Sequence, residues 1–189
     1  MKQSRRKFIQ STGAAVGALT LPKLVPQATA ASSAKKHNIL YLCSDQQHWQ
    51  AMGSVDPFFD TPHQDALAAE STVFENAFCT TPQCSPSRSS MLTGYYPHKT
   101  EMMNNSGASG GTDLKLPTVG SHLQEAGYTT ALFGKWHLGY EPKHNPLNYG
   151  FETFHGFLSG HVDYHSHYDR LDAFDWWNGR EQKQEEGYT

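Results

Sequence analysis

Three short runs place reactive or charged side chains at spacings that chemistry can use. The first is Pro82-Gln83-Cys84-Ser85-Pro86-Ser87-Arg88, which continues to Met91-Leu92-Thr93-Gly94. Cys84 and Arg88 lie one helical turn apart, so a helix over 86–92, stopped at Gly94, puts both near its N-terminus on one face. Pro86 lacks an amide hydrogen that a first turn does not need. The N-terminal amides and the Arg88 guanidinium then favour negative charge at position 84, whether a thiolate or an oxyanion formed there.

The second run is Lys135-Trp136-His137. In a strand, residues i and i+2 face one side, so Lys135 and His137 are expected to point together, one offering a positive charge to an anion and the other a proton or hydrogen bond. The third is Asp45-Gln46, an acid and an amide directly after an apolar run, which offer two oxygens to a hard cation.

These residues need elements to hold them. The run His37-Asn38-Ile39-Leu40-Tyr41-Leu42-Cys43-Ser44-Asp45 reads as a buried parallel strand ending in polar groups. Open α/β sheets bind ligands at that edge. Residues 61–71 read as a helix capped by Thr61 with Pro62 in its first turn. Residues 72–80 alternate and read as a short strand, 116–128 as an amphipathic helix ending at Gly127, and 128–139 as a further strand. Asn178-Gly179 predicts a hairpin turn between Phe174 and Gln182. The strand, helix, strand order points to an α/β sandwich.

Composition narrows the function. With 189 residues, 37% hydrophobic and 12% aromatic, the chain can build a core. Residues 1–30 hold five basic residues (Lys2, Arg5, Arg6, Lys7, Lys23) and no acid, which leaves the remainder at about −8. No basic stripe remains there, so nucleic acid is not an expected partner. Three cysteines (Cys43, Cys79, Cys84) cannot all pair internally and show no metal spacing. Cys43 and Cys79 read as structural, whereas Cys84 sits in a polar, proline-flanked turn.

The first thirty residues have a basic start, a mild apolar run at 13–21 and an Ala28-Thr29-Ala30 exit. This is signal-peptide grammar, too short for a membrane span. Ser4-Arg5-Arg6-Lys7-Phe8 resembles the twin-arginine export motif. The expected organisation is therefore a signal peptide at 1–30 and a catalytic portion at 31–189. The expected location is periplasmic or secreted, reached through the twin-arginine machinery without a stable membrane span.

The runs Cys84-Ser85-Pro86-Ser87-Arg88-Ser89-Ser90-Met91-Leu92-Thr93-Gly94, Asn38-Ile39-Leu40-Tyr41-Leu42-Cys43-Ser44-Asp45-Gln46-Gln47 and Gly134-Lys135-Trp136-His137-Leu138-Gly139 together resemble, in family order, the signatures of the type I sulfatases. The resemblance covers roughly residues 37–189. It implies an alkaline-phosphatase-like α/β fold: a three-layer sandwich with a largely parallel central sheet, here incomplete at the C-terminus. It also implies that Cys84 is not used as a thiol. A maturation enzyme oxidises it to formylglycine, whose hydrated aldehyde attacks the sulfur of a sulfate ester and then releases sulfate by elimination. Asp45, Gln46 and residue 84 would hold a divalent metal, usually calcium. Gln46 stands where a second aspartate is commoner, which removes one negative charge. Arg88 and Lys135 would stabilise negative charge, and His137 would position or deprotonate the diol. His161, with Asp163 and His165 behind it, lies where the family often places a substrate-facing loop.

The late aromatics suit a sulfated carbohydrate. The second metal-ligand pair of the family has no counterpart after residue 170, so this chain alone is expected to be inactive and, with an exposed sheet edge, prone to aggregate. Other readings are a phosphonate or phosphate ester hydrolase of the same superfamily, an inactive truncated product that binds anions, and a thiol redox protein with a reactive Cys84.

Overall fold

The computed structural model describes residues 36–106 and 114–189. The chain divides into two compact units, one reaching to Glu70 and the other running from Ser71 to Thr189. The leader read at 1–30 lies outside the described residues.

In the first unit the expected helix forms as α1 (Pro62–Ala69), with Thr61 at its N-cap and Pro62 at its start. The Thr61 hydroxyl does not reach a first-turn amide. It accepts the Gly53 amide at 2.7 Å and donates to Asp65 at 3.1 Å. Asp65 also accepts the Ser54 amide at 3.0 Å, so the loop before the helix is tied to the helix itself.

The expected strand at 37–45 does not form. Ile39, Leu40, Tyr41 and Leu42 are extended but 65–81% exposed, in no strand among the described residues. An apolar run supplies surface to bury, but a strand exists only where a second strand takes its N–H and C=O groups.

The second unit is built on a four-stranded sheet ordered β1 (Ala131–Lys135), β2 (Thr153–Phe157), β3 (Trp177–Asn178) and β4 (Glu181–Gln182). β1 and β2 are parallel, in register from Ala131 opposite Thr153 to Lys135 opposite Phe157. The other two pairings are antiparallel. The expected hairpin is β3–β4, with Gly179 in the left-handed region at φ 65°.

A parallel pair requires a crossover. Here it is residues 136–152, with two short 3-10 turns at Pro142–His144 and Pro146–Asn148. Thr130 donates from its hydroxyl to Gly150 at 2.7 Å and pins this crossover to the start of β1. The strand expected at 72–80 is absent, and Val73, Phe74 and Phe78 are 57–89% exposed. Its alternation found no neighbouring strand, as at 37–45.

Among the described residues three helices accompany the sheet: α2 (Cys84–Thr93), α3 (Pro97–Thr100) and α4 (Val119–Glu125). Gly94 ends α2 in the left-handed conformation at φ 74°, as its position predicts. Thr118 caps α4 in a reciprocal capping box with Ser121. The core comprises Leu92, Met102, Leu114, Trp136, Leu138, Phe154 and Leu158, with Trp136 and Phe154 essentially sealed from solvent. Each large side chain buried in this way contributes about 1.5–3 kcal/mol. The core therefore grips α2 at its C-terminal end through Leu92 and grips the chain just past β1 through Trp136 and Leu138. Among the described residues no helix is long and apolar enough to cross a membrane.

Candidate active site

Cys84 is the first residue of α2, and the Gln83 before it is extended (φ −93°, ψ 143°) and caps nothing with its side chain. The buried face of α2 is unusually polar: Ser85, Ser89 and Ser90 are buried beside Pro86 and Leu92. Ser89 satisfies its hydroxyl at the Pro86 carbonyl (2.9 Å) and at Thr100 (3.0 Å), which ties α3 to α2. The helix is thus held by hydroxyl bonds on one side and by Leu92 in the core at its far end.

The end of β1 meets the start of α2. Lys135 Nζ donates to Cys84 Sγ at 3.4 Å, and Arg88 Nη1 donates to the Lys135 carbonyl at 2.7 Å. All three groups are half-buried. One cation therefore touches the side chain at position 84. The second, one helical turn along, clamps the strand end that carries the first.

His137 reaches the neighbourhood by another route than strand alternation. β1 stops at Lys135, and His137 has a left-handed backbone (φ 60°). The same-face expectation for Lys135 and His137 is corrected accordingly, because the pleat that would impose it has ended. Trp136 and His137 donate their amides to Phe157 and Leu158 at 2.9 and 3.0 Å, beyond the regular register. The His137 ring lies against Gly160, where any β-carbon would sit 2.4–2.5 Å from the imidazole. Only glycine admits that approach.

Asn105, Ser106 and Asp175 were not singled out in the sequence. Asn105 Oδ1 accepts the Ser85 amide at 3.0 Å. Ser106 donates its amide to Ser85 Oγ at 2.9 Å and its hydroxyl to the His137 carbonyl at 3.4 Å. Through Ser106 helix α2 and His137 are two hydrogen bonds apart. Asp175, buried, accepts the amides of Leu158 (3.1 Å) and Ser159 (2.7 Å) and the Trp177 indole N–H (2.6 Å). It fixes the turn on which the His137 ring rests. Tyr140 accepts the Gly160 amide at 3.2 Å, and burial pushes its phenol above the ordinary range. No local sequence signal marks these partners: apart from the Trp177 indole, two residues from Asp175, the groups they hold lie 16–31 residues away.

The histidine-rich stretch does not gather. His161 is exposed, and its carbonyl accepts the Ser159 hydroxyl at 2.9 Å. His155 pairs with Glu185 at 2.9 Å, His167 is buried against Trp176, and His165 packs on Tyr188. Asp163 accepts the amides of His165 and Ser166 and the Ser166 hydroxyl. These bonds hold its carboxyl low, at about 2. It is a turn cap. The Trp176 indole N–H foremost, then Lys183 and His155, likewise hold Glu185 below the usual carboxylate range.

Asp45 and Gln46, in the first unit, are exposed and both left-handed (φ 46° and 52°). Such backbone outliers concentrate at functional sites. Yet among the described residues no three His, Cys, Asp or Glu side chains gather to hold a metal. Calcium takes roughly six to eight oxygen ligands, of which Asp45 and Gln46 would supply only part.

Comparison with known proteins decides the family. The model of the Sulfatase family matches residues 37–187. The chain belongs to the sulfatase family. It is 34% identical over 138 residues to the N-acetylgalactosamine-6-sulfatase of Canis lupus familiaris, covering 67% of this chain and 26% of that protein. To the ulvan-active sulfatase of Formosa agariphila it is 44% identical over 108 residues, covering 54% of this chain and 20% of the relative. Among solved structures it resembles Ps i-CgsB, at a TM-score of 0.62 and 30% identity over 68% of this chain and 32% of the other. It also resembles a protein solved with its substrate D-glucosamine-2-N,6-O-disulfate, at a TM-score of 0.58 and 30% identity over 74% and 26%. The chain spans about a quarter of the length of the curated relatives it matches. The alkaline-phosphatase-like α/β fold expected from the sequence is the one this chain shares with its structural neighbours, but its sheet among the described residues is mixed, one parallel pairing and two antiparallel, rather than largely parallel.

Proposed function

We propose that this chain carries the nucleophile half of a carbohydrate sulfatase, with residue 84 acting as formylglycine. The observation that carries the reading is the Lys135 ammonium 3.4 Å from Cys84 Sγ at the open end of a helix. A side chain there meets a cation and the positive end of α2 together, an environment built for an anion.

In its hydrated aldehyde form residue 84 supplies two hydroxyls: one attacks sulfur as the ester alcohol leaves, and the other then loses its proton so that the C–O bond to sulfate breaks and the aldehyde returns. Lys135 binds the anionic oxygen on residue 84 or on the transferred sulfate. Arg88 holds the Lys135 backbone in place and adds positive charge to the helix face. His137, anchored by Leu158, Ser106 and the Gly160 gap, positions or deprotonates the diol.

Asp45 and Gln46 are proposed as oxygen donors to the family's divalent metal, calcium by resemblance. Among the described residues no three His, Cys, Asp or Glu side chains gather to hold it, so no step above runs through it. Little or no turnover is proposed for this chain alone.

A sulfated saccharide is the proposed substrate class, supported by the relatives named for N-acetylgalactosamine 6-sulfate and ulvan and by the glucosamine disulfate complex. His161 is proposed as a contact to it. A formylglycine-generating enzyme and the twin-arginine machinery, read from Cys84–Arg88 and Arg5-Arg6, are the proposed maturation and export partners, which place the protein in the periplasm or outside the cell. The test is release of inorganic sulfate from sulfated saccharides by protein co-expressed with a maturation enzyme, beside the matching phosphate and phosphonate esters. Sulfate release lost in Cys84→Ala supports the reading. Faster cleavage of the phosphorus esters overturns it.

A further inference from the structure

Asn105 sits where helix α2 would ordinarily carry its own cap. The first four amides of a helix lack partners inside it. In α2, Gln83 gives no side-chain cap, Pro86 has no amide hydrogen, and Ser87 already donates to the Gln83 carbonyl at 3.0 Å. The Ser85 amide belongs to a residue fully sealed from solvent, and it finds its acceptor twenty residues away on Asn105, at 3.0 Å. Asn and Asp cap helices about equally well, and an aspartate gains further from the helix dipole. Helix stability alone therefore gives no reason for the neutral residue.

The neighbouring site does. The amide that Asn105 holds is one peptide from Cys84, whose side chain meets the Lys135 ammonium. A carboxylate at 105 would set a negative charge against the amide next to Cys84 and repel an incoming anion. We propose that Asn105 is a positioning residue that caps the nucleophile helix with a neutral acceptor, fixing its first turn while leaving its positive end available to a sulfate group. Ser106 completes the clamp by bonding Ser85 Oγ and the His137 carbonyl. The inference rests on the anion-binding reading of residue 84, and its test is arranged so that the two can fail separately.

The probe is the unmodified 189-residue chain, alkylated with iodoacetate or iodoacetamide and resolved peptide by peptide. The same thiolate attacks both reagents and displaces iodide, so the ratio of their rates reports local charge and not thiol ionisation. Cys43 and Cys79 are exposed thiols and serve as references in the same molecule. Asn105→Asp is expected to lower the iodoacetate-to-iodoacetamide ratio at Cys84 about three- to tenfold, as one charge added beside the next peptide does in a half-buried site. The melting temperature is expected to hold and the reference ratios to stay unchanged. Asn105→Ala is expected to lower the melting temperature and to leave the ratio within about twofold, since it removes an acceptor but no charge. If Asn105→Ala does not fold, Asn105→Asp carries the test.

An unchanged ratio in Asn105→Asp, or an unchanged melting temperature in Asn105→Ala, overturns the inference. Lys135→Met separates it from the reading beneath. A ratio lowered by Lys135→Met but not by Asn105→Asp sinks only the role of Asn105. A ratio that Lys135→Met leaves unchanged sinks the anion site itself.

Discussion

Residues 39–42 and residues 131–135 look alike on paper, each a short apolar run that ends in polar, chemistry-bearing side chains. In the structure they differ entirely. The second is β1, locked in parallel register to β2 and leading into Trp136 and Leu138 in the core. The first belongs to no strand among the described residues, and its four large side chains are exposed. Hydrophobicity is a property of the run itself, whereas a strand is a property of two runs. The chemistry follows the same division. Lys135, at the end of the paired run, meets Cys84, while Asp45 and Gln46, at the end of the unpaired one, gather no metal-binding cluster among the described residues.

The largest effect that sharpens this contrast is expected from truncating each run's own packing. Phe154→Ala, opposite Leu132 in the sheet, should cost about 3–5 kcal/mol in denaturant unfolding, and Leu42→Ala less than about 0.5. Comparable costs for the two would show that the 39–42 run is buried after all. Amide hydrogen exchange should divide in the same way, with slow exchange along 131–135 and fast exchange along 39–42.

Next in size is Asp175→Ala, expected to cost about 2–4 kcal/mol, because two buried amides and a half-buried indole lose one acceptor. It should also loosen the turn under His137, read as faster exchange at Leu158 and Ser159. A cost below that of an ordinary surface change would remove Asp175 from the account.

Calcium titrated into the 189-residue chain should bind more weakly than about 1 mM, the loose end of known protein sites. Tight binding would mean that Asp45 and Gln46 already have their companions.

The smallest expected effect is acid sensitivity. The carboxyl of Asp163 is held at about 2, below its ordinary 3.8. The stability it contributes is full above about pH 4 and is lost as pH falls through 2. An acid titration of Asp163→Asn should therefore be flatter than the parent in that window. A parent and variant with the same slope would show that the Asp163 turn is already open.

Local chemistry was legible wherever one residue decides the outcome. Pro62 starts α1, Gly94 stops α2, and Gly179 turns the β3–β4 hairpin. Cys84, Arg88 and Lys135 were legible as a group, and the structure brings the three together. His137 was legible as a residue, but its left-handed backbone was not, because that depends on where β1 stops. Asn105, Ser106 and Asp175 were invisible for one reason: each acts through a hydrogen bond to a distant backbone or hydroxyl group, and no spacing rule reaches that far. The 72–80 run misled as 39–42 did, by showing alternation without a second strand.

The most direct test of the central claim is the mass of the peptide that contains residue 84, taken from protein expressed with a formylglycine-generating enzyme. Replacing the thiol by an aldehyde removes about 18 Da from that peptide. The account predicts this loss at Cys84, with Cys43 and Cys79 left as thiols. A Cys84 peptide at its unmodified mass under those conditions would contradict the assignment of residue 84 as the sulfatase nucleophile in this chain.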